Sequence, residues 1–429
     1  MKYTHLSLIA CLPFLLSSCL QWDLDEKAFP TVSINEIERT SCISAIAHGS
    51  INDQSLASIT TVGHVWSSTN PSPTLEINEG MVEQPVSDEN FSSSLEFPQP
   101  FTTYYIAAFI VTEFGVIYSD NVLTVNTSWY QHPGFPGGGK NNGVAFVIGN
   151  YAYVGLGDND ISRIFRRYNA LTGAWDKIIG EPFPGTPRCC ATAFSIGGKG
   201  YVGAGGTNIY TPNPTYYSDF YKFDPTLEDS NPWQRIDSLP AGEGRYWAVT
   251  FIIEDRAYIG GGPSESAGLS TSFFRLGQNG VSWEPIESLP IQVVDSGETM
   301  IAAFSAQNNG YIILRKKDVW QYLPELRTWE KRPEMKFPGE GSRTRMFAWP
   351  FPDKAYVGFG LDDEGDFFYY GDLWEFDPEN PNYWTEVEMA YPEGRNASMT
   401  FTIDGKGYMV GGCFLGNCLV DEFWEFCSR

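Results

Sequence analysis

The sequence predicts an all-β protein whose larger part is a closed ring of small antiparallel sheets. Three observations predict it. Apolar runs are short, alternate with polar residues and are bounded by Gly, Pro or Asp, the pattern of β-strands. Aromatic landmarks recur six times. The last copy of the repeat lacks its final strand, and a spare strand precedes the first copy.

The best copy runs from Pro184 to Trp233. After Arg188 comes a first strand through Ala191, Ala193, Phe194 and Ile196. A Gly-Lys-Gly turn leads into Tyr201-Val202-Gly203-Ala204-Gly205-Gly206. Asp219 to Pro225 supplies a third strand and Trp233 a fourth. The second-strand tyrosine falls at Tyr153, Tyr201, Tyr258, Tyr311, Tyr356 and Tyr408. The fourth-strand tryptophan falls at Trp129, Trp175, Trp233, Trp283, Trp329 and Trp384. A proline opens each following unit, at Pro136, Pro184, Pro240, Pro290, Pro338 and Pro392. The mean step is about 51 residues, within the range of repeat architectures.

Tyr201 to Gly205, the run Asp372-Leu373-Trp374-Glu375-Phe376-Asp377-Pro378 and the trailing Trp384 resemble the kelch repeat. The resemblance covers about 300 residues from Trp129 onward and implies a β-propeller. Six landmarks of each kind predict six blades. No tryptophan follows the strand Asp421 to Phe426, so Ser128-Trp129-Tyr130 is expected to complete the sixth blade. Such pairing removes the exposed edges of an open array.

The chain divides into residues 1–18, 19–30, 31–127 and 128–429. Lys2 and His5 precede the apolar run Leu6 to Leu16, too short to span a bilayer, so the first segment reads as a signal peptide. Its end, Leu16-Ser17-Ser18-Cys19, resembles the lipobox of bacterial lipoproteins. That resemblance implies acylation of Cys19 and a membrane partner through it, since several chains on one residue anchor stably. The acidic stretch Asp23-Leu24-Asp25-Glu26 resembles the surface-export signal of Bacteroidetes lipoproteins. The implied address is the cell envelope, as an outer-membrane lipoprotein with a surface-exposed form. Residues 19–30 read as a tether.

Residues 31–127 alternate like strands but carry no repeat landmarks. Thr102 to Phe109, followed by Gly115-Val116-Ile117-Tyr118, resembles the end of a fibronectin type III-like sandwich. Trp66 and either Tyr104 or Tyr105 are then expected between its sheets.

Composition excludes some functions. Lys+Arg 28 against Asp+Glu 52 gives a net charge of −24, which disfavours nucleic acid. Only His5, His48, His64 and His132 exist, so the blades beyond Gly137 hold none. Galactose oxidase, an enzyme on the kelch scaffold, binds copper through His and Tyr, and imidazole is the usual copper ligand. Copper chemistry and His-dependent nucleophilic mechanisms are therefore excluded on the blades. No metal or cofactor is expected. The blade 5 loop, with Asp362, Asp363, Glu364 and Asp366 beside Phe367 to Tyr370, lacks ordered calcium-loop spacing and reads as a solvated acidic loop.

Eight cysteines are present. With Cys11 in the signal and Cys19 at the anchor, Cys42, Cys189, Cys190, Cys413, Cys418 and Cys427 remain. Cys413 and Cys418 bracket a four-residue loop and are the best disulfide pair. Cys189 and Cys190 read as small buried hydrophobes.

Six residues before the phenylalanines Phe146, Phe194, Phe251, Phe304, Phe351 and Phe401 lie Lys140, Arg188, Arg245, Glu298, Arg345 and Arg395. Equivalent positions in six blades lie on a circle around one channel mouth. Two readings fit this collar. As a site, guanidinium forks would face an open pocket and hold a carboxylate or sulfate. As scaffold, each cation would bond local carbonyls or blade carboxylates.

The sequence favours a non-catalytic binding protein that presents its propeller to a glycan or a protein. The alternative is a carbohydrate-active enzyme resembling the six-bladed sialic acid mutarotases, with Glu298 transferring protons inside the arginine collar.

Overall fold

A computed structural model describes residues 30–52, 59–157, 163–266, 268–291, 300–362, 368–387 and 393–427. The signal, the tether and Cys19 lie outside them. So do Glu298 and the acidic loop residues Asp363, Glu364 and Asp366.

The N-terminal part is a β-sandwich. One sheet orders Thr31–Arg39, Ser44–Asn52 and Asn90–Glu96. The other orders Gly80–Pro85, Ile59–Ser67, Thr103–Thr112 and Gly115–Tyr118, with Leu123–Asn126 also paired to Thr103–Thr112. Alternation does the sorting. Asn90–Glu96 buries every second residue, and the inward set from both sheets includes Ile34, Ala47, Val62, Trp66, Leu95 and Tyr104. Of the two candidate tyrosines, Tyr104 faces the core and Tyr105 does not. The Tyr104 hydroxyl accepts from the Gln99 amide at 3.0 Å, the tyrosine-corner arrangement of immunoglobulin-like sandwiches.

Six four-stranded antiparallel sheets follow. In blade 2 the order is Thr192–Ile196, Lys199–Gly203, Phe220–Phe223 and Trp233–Ile236. The other blades repeat it. Blade 6 pairs Met399–Ile403, Lys406–Val410 and Phe423–Cys427 with Trp129–His132. Phe426 lies opposite Trp129 and Phe423 opposite His132, so the two ends of the domain zip into one sheet and the ring closes. Contrary to the expectation of blades without histidine, His132 thus lies in blade 6, paired with Glu425 at 2.8 Å. First strands of neighbouring blades approach one another around the centre.

The landmarks have physical roles. In blades 1, 2, 3 and 6 the first-strand phenylalanine stacks on the second-strand tyrosine at about 5 Å, as in Phe251–Tyr258 with planes 7° apart. In blades 2 to 5 the fourth-strand tryptophan stitches the blade to the segment before it, Trp233 donating to the Glu181 carbonyl at 3.3 Å. Trp283 donates to the Asp237 carbonyl at 3.0 Å, Trp329 to Glu287 at 2.9 Å and Trp384 to Met335 at 2.8 Å.

Blade 5 departs from the expected register. Trp349, not Phe351, lies opposite Tyr356, as Phe146 lies opposite Tyr153 and Phe401 opposite Tyr408. Trp349 is fully buried and donates to the Tyr408 carbonyl at 2.8 Å, tying blade 5 to blade 6. The sandwich docks on this side. Phe101 packs with Trp129, Trp349 and Phe426, and the sulfur of the disulfide-bonded Cys42 lies 3.2 Å from Glu425 Oε1.

Candidate functional site

The segments leading into the first strands share one end of the ring with the loops between second and third strands. Backbone bridges join them: Cys189 with Gly206, Arg245 with Ser264, Thr344 with Leu361, and Asn396 with Cys413. This end is the candidate site. Two sets of residues, two positions apart, build it.

The first set is the expected collar, with one correction. Six residues before Trp349 is Arg343, so Arg343 and not Arg345 is the blade 5 equivalent of Arg188. Lys140, Arg188, Arg245, Arg343 and Arg395 are all at most 3% exposed. Four of them donate to a carbonyl sixteen residues on, at the end of the second strand: Lys140 to Leu156 at 2.9 Å, Arg188 to Ala204 at 3.0 Å, Arg245 to Gly261 at 3.3 Å and Arg343 to Phe359 at 3.4 Å. Carboxylates of the same blade complete the clamps. Arg188 grips both oxygens of Asp219 at 2.5 and 3.0 Å, and Arg343 both of Asp372 at 2.5 and 2.8 Å. Arg245 pairs with Glu243, and Arg395 with Glu422 at 2.9 Å. Tyr217 and Tyr370 cover the guanidinium groups of Arg188 and Arg343 at 4.0 and 3.9 Å.

Electrostatics agree with this role. Burial pulls Arg245 down to about 10, opposed by Glu243, so it stays charged at neutral pH. Burial pushes Asp219 up, but the hydrogen bonds and charge of Arg188 outweigh it and hold the carboxyl below its usual value. These cations are held by partners within their own blades and tie the first strand to the loop, although Nη1 of Arg395 is buried with no hydrogen-bond partner among the described residues. They do not turn into an open pocket.

The second set lies two residues further on: Asn142, Cys190, Trp247, Arg345 and Ala397. Each has left-handed backbone, with φ between 51° and 57°. Such a conformation is uncommon outside Gly and Asn. Here the ring over-determines it. The Asn142 amide donates to the Ala397 carbonyl at 2.8 Å, Cys190 to Asn142 at 2.8 Å and Trp247 to Cys190 at 2.9 Å. Each link passes from one blade to the next.

Their side chains converge at the mouth. The Arg345 guanidinium lies 4.4 Å from the Trp247 ring centre, reaching past blade 4. Among the described residues no carboxylate pairs with it. Tyr210, 65% exposed on the blade 2 loop, receives a hydrogen bond from Asn142 at 3.3 Å and lies 6.3 Å from Trp247. Tyr246 meets the Trp247 ring edge-on and is itself stacked on Tyr216. The indole nitrogen of Trp247 is buried with no hydrogen-bond partner among the described residues.

Arg345 therefore belongs to the mouth, while Arg188, Arg245 and Arg395 belong to the scaffold with Lys140. Sequence reasoning missed Arg343, Asn142, Trp247 and Tyr210. One signal could have found Arg343. Inner aromatic and tyrosine are seven residues apart in every blade when Trp349 is used, but five when Phe351 is. The expected loop disulfide is present, Cys413–Cys418 with sulfurs 2.03 Å apart, and it staples the blade 6 loop at the same end. Among the described residues no cluster of His, Cys, Asp or Glu could hold a metal ion.

No family model matches the chain, and no curated protein matches it by sequence. Among solved structures it is similar to the structure of YjhT, at a TM-score of 0.55 and 15% identity, covering 68% of this chain and 95% of that one. At that identity the likeness extends to the fold alone, the β-propeller built by the six sheets.

Proposed function

We propose that this is a non-catalytic binding protein that captures a carboxylate-bearing glycan at the channel mouth. The observation that carries it is Arg345, laid on Trp247 with no carboxylate among the described residues to neutralise it. Sugar faces are apolar and stack on indole and phenol rings, while a guanidinium fork takes a carboxylate through two charge-assisted bonds. Trp247, Tyr210 and Arg345 supply both kinds of contact. A net charge of −24 opposes acidic ligands at long range, so selectivity here is a short-range matter. Acylation at Cys19, with the sandwich as spacer, would hold this face out from a membrane. The catalytic alternative needs Glu298, outside the described residues, and no observation favours it.

The test is titration of the purified protein with acidic and neutral oligosaccharides of matched size. Arg345→Ala is expected to abolish the preference for the acidic ligand, and Trp247→Ala to weaken both. Equal affinity for both ligands in the unmodified protein would overturn the proposal.

A further inference from the structure

Cys189 and Cys190 occupy the blade 2 turn of the left-handed ring. Successive side chains of an extended strand point to opposite faces. Here φ of +57° at Cys190 breaks that alternation and swings its side chain back beside that of Cys189. The two sulfurs lie 2.7 Å apart. Non-bonded carbon atoms settle at about 3.5–4.0 Å, and sulfur is larger. The backbone leaves little room to relieve this approach. Cys189 is bridged to Gly206 through both its amide and its carbonyl, at 3.1 and 3.0 Å. Cys190 donates to Asn142 and accepts from Trp247. Both are thiols in this structure, buried against Tyr246, with Tyr216, Ile209 and Trp247 packed around them.

We propose that Cys189 and Cys190 are joined by a disulfide between neighbours when the protein matures in an oxidising compartment, and that this closed ring fixes Trp247 at the channel mouth. A Sγ–Sγ bond forms as the pair gives up two protons and two electrons. The disulfide of a thiol–disulfide oxidant takes them and leaves as two thiols. Oxidising compartments keep such bonds. The link to Trp247 runs through the Cys190 carbonyl and the shared packing. Opening the ring frees the rotation of two side chains beneath the indole. Any effect on ligand capture rests on the glycan reading above, but the bond itself does not.

The experiment uses the full chain purified from an oxidising compartment. Denatured, unreduced protein is alkylated, digested and weighed, with Cys413–Cys418 as the internal control. The expected result is a peptide spanning Cys189 and Cys190 that is two hydrogens lighter than the dithiol and takes no label. Alkylation of both cysteines alongside an intact Cys413–Cys418 bond overturns the proposal. Mild reduction is then expected to shift tryptophan emission in the unmodified protein. The shift should vanish in Cys189→Ser/Cys190→Ser and in Trp247→Phe. A bonded pair whose reduction leaves Trp247 emission unmoved overturns the coupling. A bonded pair and a shifting Trp247 without glycan binding in either redox state would sink the glycan reading and leave this one standing.

Discussion

Arg343 and Arg345 are the same side chain, two residues apart in one segment, and they do opposite things. Arg343 is 2% exposed, gripped by both oxygens of Asp372 and roofed by Tyr370. Arg345, in left-handed backbone, reaches across the mouth to the face of Trp247. In blades 1, 2, 3 and 6 the equivalents of Arg343 are Lys140, Arg188, Arg245 and Arg395, all cations, and only in blade 4 does the count fall on a carboxylate, Glu298. The equivalents of Arg345 are Asn142, Cys190, Trp247 and Ala397, all different. A position that repeats around a propeller solves a packing problem that repeats. A position that varies, though its backbone does not, is where one blade is free to differ from the next.

The largest expected contrast is in stability. Removing one partner of a buried ion pair costs about 3–5 kcal/mol, because the other charge is left uncompensated. Arg343→Ala should lower the free energy of unfolding by that amount. Arg345→Ala should cost no more than about 1 kcal/mol, because only its contact with the Trp247 ring is lost. Equal losses in the two variants would erase the distinction between clamp and mouth.

Affinity should reverse the ranking at a smaller scale. A hydrogen bond to a charged group contributes about 1.5–3 kcal/mol, so Arg345→Ala should weaken an acidic glycan roughly 10- to 100-fold by calorimetry. Arg345→Lys should recover only part of it, because an ammonium cannot supply the planar fork.

The smallest effect is in pH dependence. The Asp219 carboxyl is held below its ordinary value by Arg188, so the clamp stabilises fully above about pH 3.8. That contribution is lost as pH falls through the lower folded value. The penalty of Arg188→Ala should therefore shrink below about pH 3.8 in acid titrations of stability. The sandwich titrates in a separate window. Burial holds His64 at about 4, so its contribution declines from about pH 6.5 down to 4. A penalty for Arg188→Ala that stayed constant down to pH 2 would show that Asp219 is not its working partner.

Much of this architecture could be read from residues. Trp129 was legible as the missing strand because the last repeat lacked a tryptophan and one stood in front of the first. The Cys413–Cys418 bond was legible because a four-residue loop leaves little freedom. Trp66 was legible through the resemblance to a sandwich, but Tyr104 and Tyr105 were not told apart until the structure buried Tyr104. The collar was only half legible. Phe347 and Trp349 lie on one face of the strand Phe347–Pro350 and Phe351 follows it at the same spacing, so identity alone picks Phe351 over the Trp349 that fills the inner place. A one-step choice along that face shifts the count by two residues, which is the gap between Arg343 and Arg345. The mouth was less legible still. Nothing in Cys190, Trp247, Arg345 or Ala397 marks a left-handed residue, since none is of a type that favours that conformation.

By itself, the sequence determined the number of sheets, the way the ring shuts and the presence of a cation before most first strands. Those are local periodicities, and each repeat states them again. Only the tertiary structure decided which cations are spent on the scaffold and which one meets an aromatic face. That depends on blade-to-blade hydrogen bonds between residues about 50 positions apart and on a contact that passes over a whole blade, which no local pattern encodes.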